Sequence, residues 1–188
     1  MPSTASPRAN RGPAAAAENR QALIRAAREV YADGGFTAPF SAVAKRAGVG
    51  QGSLYRHFPD RTSLAVAVFD ENVADLDEYV SEPDRTIDDL LDRIVEQAVV
   101  ATALIGFIAA ADPEDPRVRP LRERFEALVS RLVTREREAG RIGSHIETAD
   151  VTMAVGMLST ELARADAAAR PAVAARARAL FHAAFAPR

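Results

Sequence analysis

The sequence predicts an all-α fold, with a small three-helix unit at the N-terminus and a larger helical body behind it. Apolar residues recur at three- and four-residue steps through most of the chain, and no segment alternates apolar and polar residues as a strand does. Glycines and prolines interrupt these runs where helices would end. Residues 51–57 are too polar and too basic to be buried, so the unit that contains them presents a surface.

The bulk composition limits what the chain can do. Its 188 residues are 48% hydrophobic, which is ample for a core, and the absence of cysteine excludes disulfides, thiolate nucleophiles and thiolate metal sites. No apolar run approaches the ~18 residues of a membrane span, and the N-terminus lacks the pattern of a signal peptide. We therefore expect a cytoplasmic protein with no membrane partner.

Charge is distributed unevenly along the chain, although the net charge is only -2. Residues 1–61 carry nine Lys and Arg against four Asp and Glu, whereas residues 62–188 carry fifteen against twenty-two. A basic head on an acidic body suits a protein that contacts phosphate at one end only. Solvated helix faces of chance composition would give the same asymmetry.

The N-terminal elements follow in order. Residues 1–13 are rich in Pro, Ser, Arg and Gly and are expected to form a disordered arm. A first helix runs from Ala14 to Asp33, with its apolar stripe at Leu23, Ile24, Ala27, Val30 and Tyr31. A second helix begins near Pro39, a residue that a first helical turn tolerates, and Gly48 ends it.

The third helix is predicted over residues 51–57. Leu54 and Phe58 hold it against the core of the unit, which leaves its polar side chains outward. Asp60 then stands where a side chain can cap a long fourth helix that ends near Val80.

Four more helices are predicted in the C-terminal body, over residues 86–111, 118–139, 147–166 and 171–185. The stretch from Ala98 to Ala111 is almost wholly apolar, which is typical of a segment buried on every side. Gly140 is expected to end the helix predicted over residues 118–139.

Three short motifs occur together in the basic head: Ala47-Gly48-Val49, Leu54-Tyr55-Arg56-His57-Phe58 and Pro59-Asp60-Arg61. With them, residues from about Arg20 to Glu71 resemble the helix-turn-helix domain of the TetR (tetracycline repressor) family. Gly50 stands where that family usually has Ser or Thr, and Pro39 stands where Thr is common, so the caps of the third and second helices are weaker. We accordingly divide the chain into the arm at 1–13, a DNA-binding domain at 14–80 and an effector-binding and dimerisation domain at 81–188.

The chemistry of the matched residues agrees with DNA contact. Tyr55 and His57 can donate to phosphate oxygens, and Arg61 adds a charge to the amides at the start of the fourth helix. Gln51 can pair with adenine, and Arg56 faces guanine, a phosphate or solvent. The predicted DNA contacts are Lys45, Gln51, Gly52, Ser53, Tyr55, Arg56, His57 and Arg61.

The resemblance implies a homodimer that binds a palindromic operator and releases it, as a repressor does, when a small-molecule effector binds. Small and apolar stripes on the last two helices would let two subunits pack closely, although the same stripes could face the chain's own core. The predicted dimer contacts are Val155, Ser159, Ala177, Leu180 and Phe181.

An effector pocket is expected among the buried faces of the central helices. Gln97, His145 and Glu161 are its candidate polar groups. The predicted walls and neighbours, which could equally be plain core, are Phe69, Val73, Val100, Ala103, Leu104, Phe107, Phe125, Leu128, Met153 and Met157.

Two other function classes remain open. The histidines at 57, 145 and 182 are scattered, and no metalloenzyme motif occurs, so neither a metal, a cofactor nor a catalytic group is predicted. The alternatives to a regulator are a helical protein-interaction module and an all-α enzyme without DNA binding.

Overall fold

The computed structural model describes residues 13–34, 38–97, 112 and 114–188 of the chain. These residues form helices and no strand, which confirms the all-α prediction. The helices are α1 (Pro13–Gly34), α2 (Phe40–Ala47), α3 (Gln51–His57), α4 (Arg61–Ser81), α5 (87–97), α6 (Arg119–Glu138), α7 (Thr148–Arg164) and α8 (Arg170–Phe185).

The predicted helix ends agree with these bounds to within one or two residues wherever both ends are described. Residues 1–12 of the predicted arm and residues 98–111 of the predicted fifth helix lie outside the described residues. The predicted pocket walls Val100, Ala103, Leu104 and Phe107 therefore lie outside them as well.

Helices α1 to α3 pack with the first half of α4 around one hydrophobic core. Leu23 and Ile24 of α1, Val43 of α2, Leu54 of α3 and Leu64 of α4 are wholly buried there. These are the apolar residues that recur at helical spacing in the sequence, so the local pattern and the tertiary packing agree.

A second core lies among α5, α6, α7, α8 and the second half of α4. Leu76 and Val80 of α4 belong to it, together with Leu90 of α5, Leu128 of α6 and Leu158 of α7. Helix α4 is thus shared by the two cores, which divide between Val68 and Leu76 rather than at its C-terminal end.

Ion pairs join α4 to α6 along its length. Arg117, just before α6, contacts Asp60 at 3.1 Å, while Arg124 and Arg131 of α6 pair with Asp70 and Asp77 of α4. Each pair is substantially exposed and so contributes little alone. The three arginines nevertheless recur every seven residues, which fixes one register between the two helices.

No helix in the described part of the chain is both long enough and apolar enough to cross a bilayer.

Candidate nucleic-acid interface and internal cavity

The turn between α2 and α3 is built on Gly48. Its φ of 68° lies in the left-handed region that glycine adopts without strain. The amide of the next residue, Val49, donates to the Ala44 carbonyl at 3.1 Å and closes α2. This turn sets the angle at which α3 leaves α2, as a helix-turn-helix requires.

Helix α3 starts without a side-chain cap. Gly50 occupies the N-cap position, and its carbonyl accepts from the amides of Ser53 and Leu54 at 2.9 and 3.2 Å. Pro39 likewise caps α2 without a side-chain hydrogen bond. Both departures from the family pattern therefore have the expected local effect.

The two faces of α3 differ sharply in burial. Leu54 and Phe58 are 0% and 2% exposed and anchor the helix, whereas Gln51 and Arg56 are exposed. Tyr55 is 52% exposed while its ring packs edge-on against Phe40, 5.5 Å between centroids. The phenol is therefore held in place by one edge and presented to solvent by the rest.

The other predicted DNA contacts lie on α3 itself, on α2 and at the start of α4. Gly52 and Lys45 are exposed, and Ser53, His57 and Arg61 are partly exposed. None of the eight predicted residues is buried. Arg46, next to Lys45, instead pairs with Glu29 of α1 and so ties α2 to α1.

The N-terminus of α4 is fixed at Asp60, where the sequence predicts a cap and the structure has a capping box with Ser63. The Ser63 amide donates to Asp60 Oδ1 at 2.7 Å, and the Asp60 amide donates to Ser63 Oγ at 3.3 Å. The Ser63 amide lowers the pKa of Asp60 most, and the Ser63 hydroxyl and Arg117 lower it further against the opposing effect of burial. This cap fixes the start of α4, whose first residue is Arg61.

A cavity of about 250 Å³, open to solvent on one side, lies where α4, α5, α6 and α7 meet. Of the predicted pocket residues, Phe69, Val73 and Phe125 line it, and so does Gln97. The wall also contains residues that the sequence did not single out for the pocket: Asn72, Leu76, Ile94, Leu121, Arg122, Glu126, Thr152 and Gly156.

Several predicted residues stand elsewhere. Leu128 is buried in the second core, and Met153 and Met157 are 60% and 54% exposed on the outer face of α7. The reason is that α7 carries two apolar stripes, and the one with Val151, Ala154 and Leu158 is the one that faces inward. His145 and Glu161 are exposed.

The predicted dimer residues divide in the same way. Val155 and Ser159 are buried within the chain and line the cavity, so they are not on a free surface. Ala177 and Phe181 of α8 are partly buried against the second core, while Leu180 is 53% exposed. The large apolar side chains exposed on the last two helices are Leu180, Met153 and Met157.

A polar crevice adjoins the cavity and reaches α1. Arg28 of α1 donates to Asn72 Oδ1 at 3.0 Å and pairs with Glu71 at 3.2 Å. Asn72 lines both the crevice and the cavity. The cavity wall is therefore linked directly to the first helix of the basic head.

The crevice also joins α4 to α5. Arg93 forms a two-pronged ion pair with Asp75, at 3.0 and 2.9 Å, and this hydrogen-bonded pair holds the pKa of Asp75 low. Gln97 donates to the same carboxylate at 2.8 Å and to the Asn72 carbonyl at 3.3 Å. Among the described residues, no three His, Asp or Glu side chains cluster as a metal site would.

The comparisons with known proteins match this architecture. The model for the family "Bacterial regulatory proteins, tetR family" matches residues 23–68, from the middle of α1 through the helix-turn-helix into α4. No curated protein matches the chain in sequence.

Solved structures match over nearly the whole chain. A TetR transcriptional regulator from Streptomyces coelicolor is 25% identical, with a TM-score of 0.61, over 89% of this chain and 98% of that one. A TetR regulatory protein from Mycobacterium vanbaalenii is 23% identical, with a TM-score of 0.63, over 92% and 98%. FadR from Bacillus subtilis, in complex with stearoyl-CoA, is 17% identical with a TM-score of 0.55, over 84% and 96%.

The family model covers the same turn, anchored third helix and fourth-helix start that form the exposed basic surface, and the structural matches extend through the helical body. Residues 23–68 therefore carry the helix-turn-helix of the family of tetR bacterial regulatory proteins, and the whole chain has the all-helical fold of the matched TetR regulators.

Proposed function

We propose that this protein is a cytoplasmic transcriptional regulator that binds a palindromic operator as a homodimer and releases it when a small molecule enters the cavity. The observation that carries the proposal is the exposed polar face of α3, anchored from behind by Leu54 and Phe58, within the residues that match the family. Repression is the regulatory outcome that this mechanism gives. The proposal includes no enzymatic activity and no cofactor.

Residues of the interface take one of two roles. Tyr55, His57, Lys45 and Arg61 hold phosphates on either side of the groove, which positions the protein without reading sequence. Gln51, Ser53 and Arg56 face base edges and supply base preference.

Gly52 allows the backbone of α3 to approach the groove. A Cβ added there would meet no atom of the described residues within 4 Å. Internal packing therefore does not require glycine at this position, whereas close approach to DNA does.

The dimer forms through the outer faces of α7 and α8. Met153 and Met157, one turn apart on α7, and Leu180 on α8 are each more than half exposed. Large exposed apolar side chains favour an interaction site. We expect a two-fold dimer through this face to place the two recognition helices about 34–36 Å apart, which is one turn of DNA. Sedimentation of Met157→Glu as a monomer, beside a dimeric wild type, is the expected result, and a monomeric wild type at micromolar concentration contradicts it.

Release follows from the shared helix α4. Its middle turns line the cavity, and its first residue is Arg61. The link from Asn72 to Arg28 ties α1 to this part of α4, so α1 and α4 move as one unit. The resident ligand of the Bacillus subtilis FadR structure supports a small molecule as the signal.

The test is fluorescence anisotropy of labelled duplexes from the DNA upstream of the chain's own gene. The wild type is expected to bind one palindromic duplex, with affinity falling linearly in log-log form as salt rises. Gln51→Ala should reduce the preference for that duplex over a scrambled one, whereas Tyr55→Phe should weaken both alike. A flat salt dependence, or no bound duplex, would favour a protein-interaction module and sink the proposal.

A further inference from the structure

One hydroxyl group in the cavity wall lacks the partner that similar groups have. Thr160 of α7 and Thr134 of α6 each donate to the carbonyl four residues earlier, at 2.8 and 2.9 Å. This is the usual local bond of a threonine inside a helix. Thr152, which lies on the same helix as Thr160, differs. Its Oγ1 is shielded from solvent and has no hydrogen-bond partner among the described residues. Thr152 lines the cavity, and its Oγ1 is a buried polar atom that the fold does not use.

Two amide side chains share the wall with Thr152. Asn72 accepts through Oδ1 from Arg28, and Gln97 donates through its amide nitrogen to Asp75. These bonds use one end of each amide, so among the described residues the Asn72 amide nitrogen remains as a donor and the Gln97 amide oxygen as an acceptor. A ligand group that both donates and accepts would complement this set.

The charges on the wall disfavour an ionised ligand group. The described lining contains Arg122 and Glu126, whose charges are opposite, and most of its other residues are apolar. An ionised group would leave water for a surface with no net opposite charge, which is strongly unfavourable. A hydroxyl or carbonyl group needs only hydrogen bonds, which Thr152 and the two amides supply.

We propose, on the basis of the function proposed above, that the effector is an uncharged apolar molecule with one hydroxyl or carbonyl group, and that Thr152 binds this group together with Asn72 and Gln97. Thr152 then determines which polar group the cavity accepts. The apolar body of the effector packs against the side chains from α4, α5 and α6.

The test is calorimetric titration of the full-length protein at pH 7 with three probes of equal chain length: octan-1-ol, octanoate and octylammonium. Octan-1-ol is expected to bind at least tenfold more tightly than either ion. Thr152→Val should weaken octan-1-ol about fivefold, the effect of one lost hydrogen bond. Benzene, which has no hydrogen-bonding group, should bind the variant and the wild type equally.

Two further variants serve as controls. Thr160→Val removes a hydroxyl from the same helix outside the cavity and should leave octan-1-ol binding unchanged. Thr152→Ser retains the hydroxyl and should retain the affinity, which separates the loss of the group from a change of shape. The melting temperature of Thr152→Val should not fall, because no internal hydrogen bond is removed.

Three results would overturn the inference: tighter or equal binding of either ion, no binding of any probe, or unchanged octan-1-ol affinity in Thr152→Val. Operator binding by the ligand-free protein is measured in parallel. Salt-dependent operator binding with the wrong order of probes contradicts only the effector class. A flat salt dependence with the expected order of probes contradicts only the DNA-binding function.

Discussion

Replacing Arg61 with alanine should weaken DNA binding for every sequence alike and should flatten its dependence on salt. Arg61 is the first residue of α4, partly exposed, and follows the Asp60 cap that fixes the start of this helix. At this position its guanidinium is proposed to contact a phosphate rather than a base. Loss of a phosphate contact removes affinity without changing base preference.

The expected magnitude follows from counterion release. In a plot of log affinity against log salt concentration, each phosphate contact makes the slope steeper by about 0.9. A dimer that loses two contacts should therefore have a slope that is shallower by about 1.8. Between 50 and 200 mM salt, the variant should therefore lose about twelvefold less affinity than the wild type loses.

The assay is anisotropy of operator and scrambled duplexes over that range of salt, with Arg131→Ala as the matched control. Arg131 is also an exposed arginine, but its partner Asp77 lies about 24 Å along α4 from Arg61. That distance is more than twice the screening length of about 10 Å at 0.1 M salt, so the control should keep the wild-type slope. Arg61→Lys should keep it too. Equal slopes for Arg61→Ala and wild type, or a loss confined to the operator duplex, would refute the reasoning.

Three other substitutions test the local geometry by thermal melts. Asp60→Ala should lower the melting temperature by about 2–4 °C through the lost cap. Folding lowers the pKa of Asp60 below 3.8, so the stability that the cap contributes is complete above that pH and is lost as pH falls through the pKa of the folded state. The melting temperatures of variant and wild type should therefore converge in acid. A constant difference between them down to pH 2 would contradict this. Gly48→Ala, at a φ of 68°, should cost about 1–2 kcal/mol of stability, and an unchanged melt would show that the turn is not strained by a side chain. Gly52→Ala should instead keep stability or raise it by up to about 1 kcal/mol while weakening DNA binding, and full DNA affinity would argue against close approach.

The helix-turn-helix could be predicted from sequence because local rules determine it. Glycine at a left-handed turn, an Asp three residues before Ser at a helix start, and apolar residues at helical spacing each act within a few residues. The structure has all three, at Gly48, at Asp60 with Ser63, and at Leu54 with Phe58.

The faces of α7 could not be predicted in the same way. Its inward stripe, with Val155, and its outward stripe, with Met157, are both apolar, so the helical period shows two stripes without showing which one meets the core. That choice is made by α6 and α8, which pack against the helix. The pairing of Asn72 with Gln97 is likewise a contact between separate helices, and no spacing in the sequence indicates it.

The shared helix α4 explains how a ligand at one end of the molecule can act at the other. Asn72 in the cavity wall stands eleven residues from Arg61, about 16 Å along the helix. A tilt of about 5° at Asn72 would move Arg61 by about 1.4 Å on that lever. In a two-fold dimer both ends move, so the spacing of the recognition helices would change by up to about 3 Å relative to the fixed 34–36 Å of one DNA turn. Because Arg28 ties α1 to Asn72, the head would tilt with α4 rather than absorb the motion. A ligand then needs to favour the tilted state by only a few kcal/mol to empty the operator.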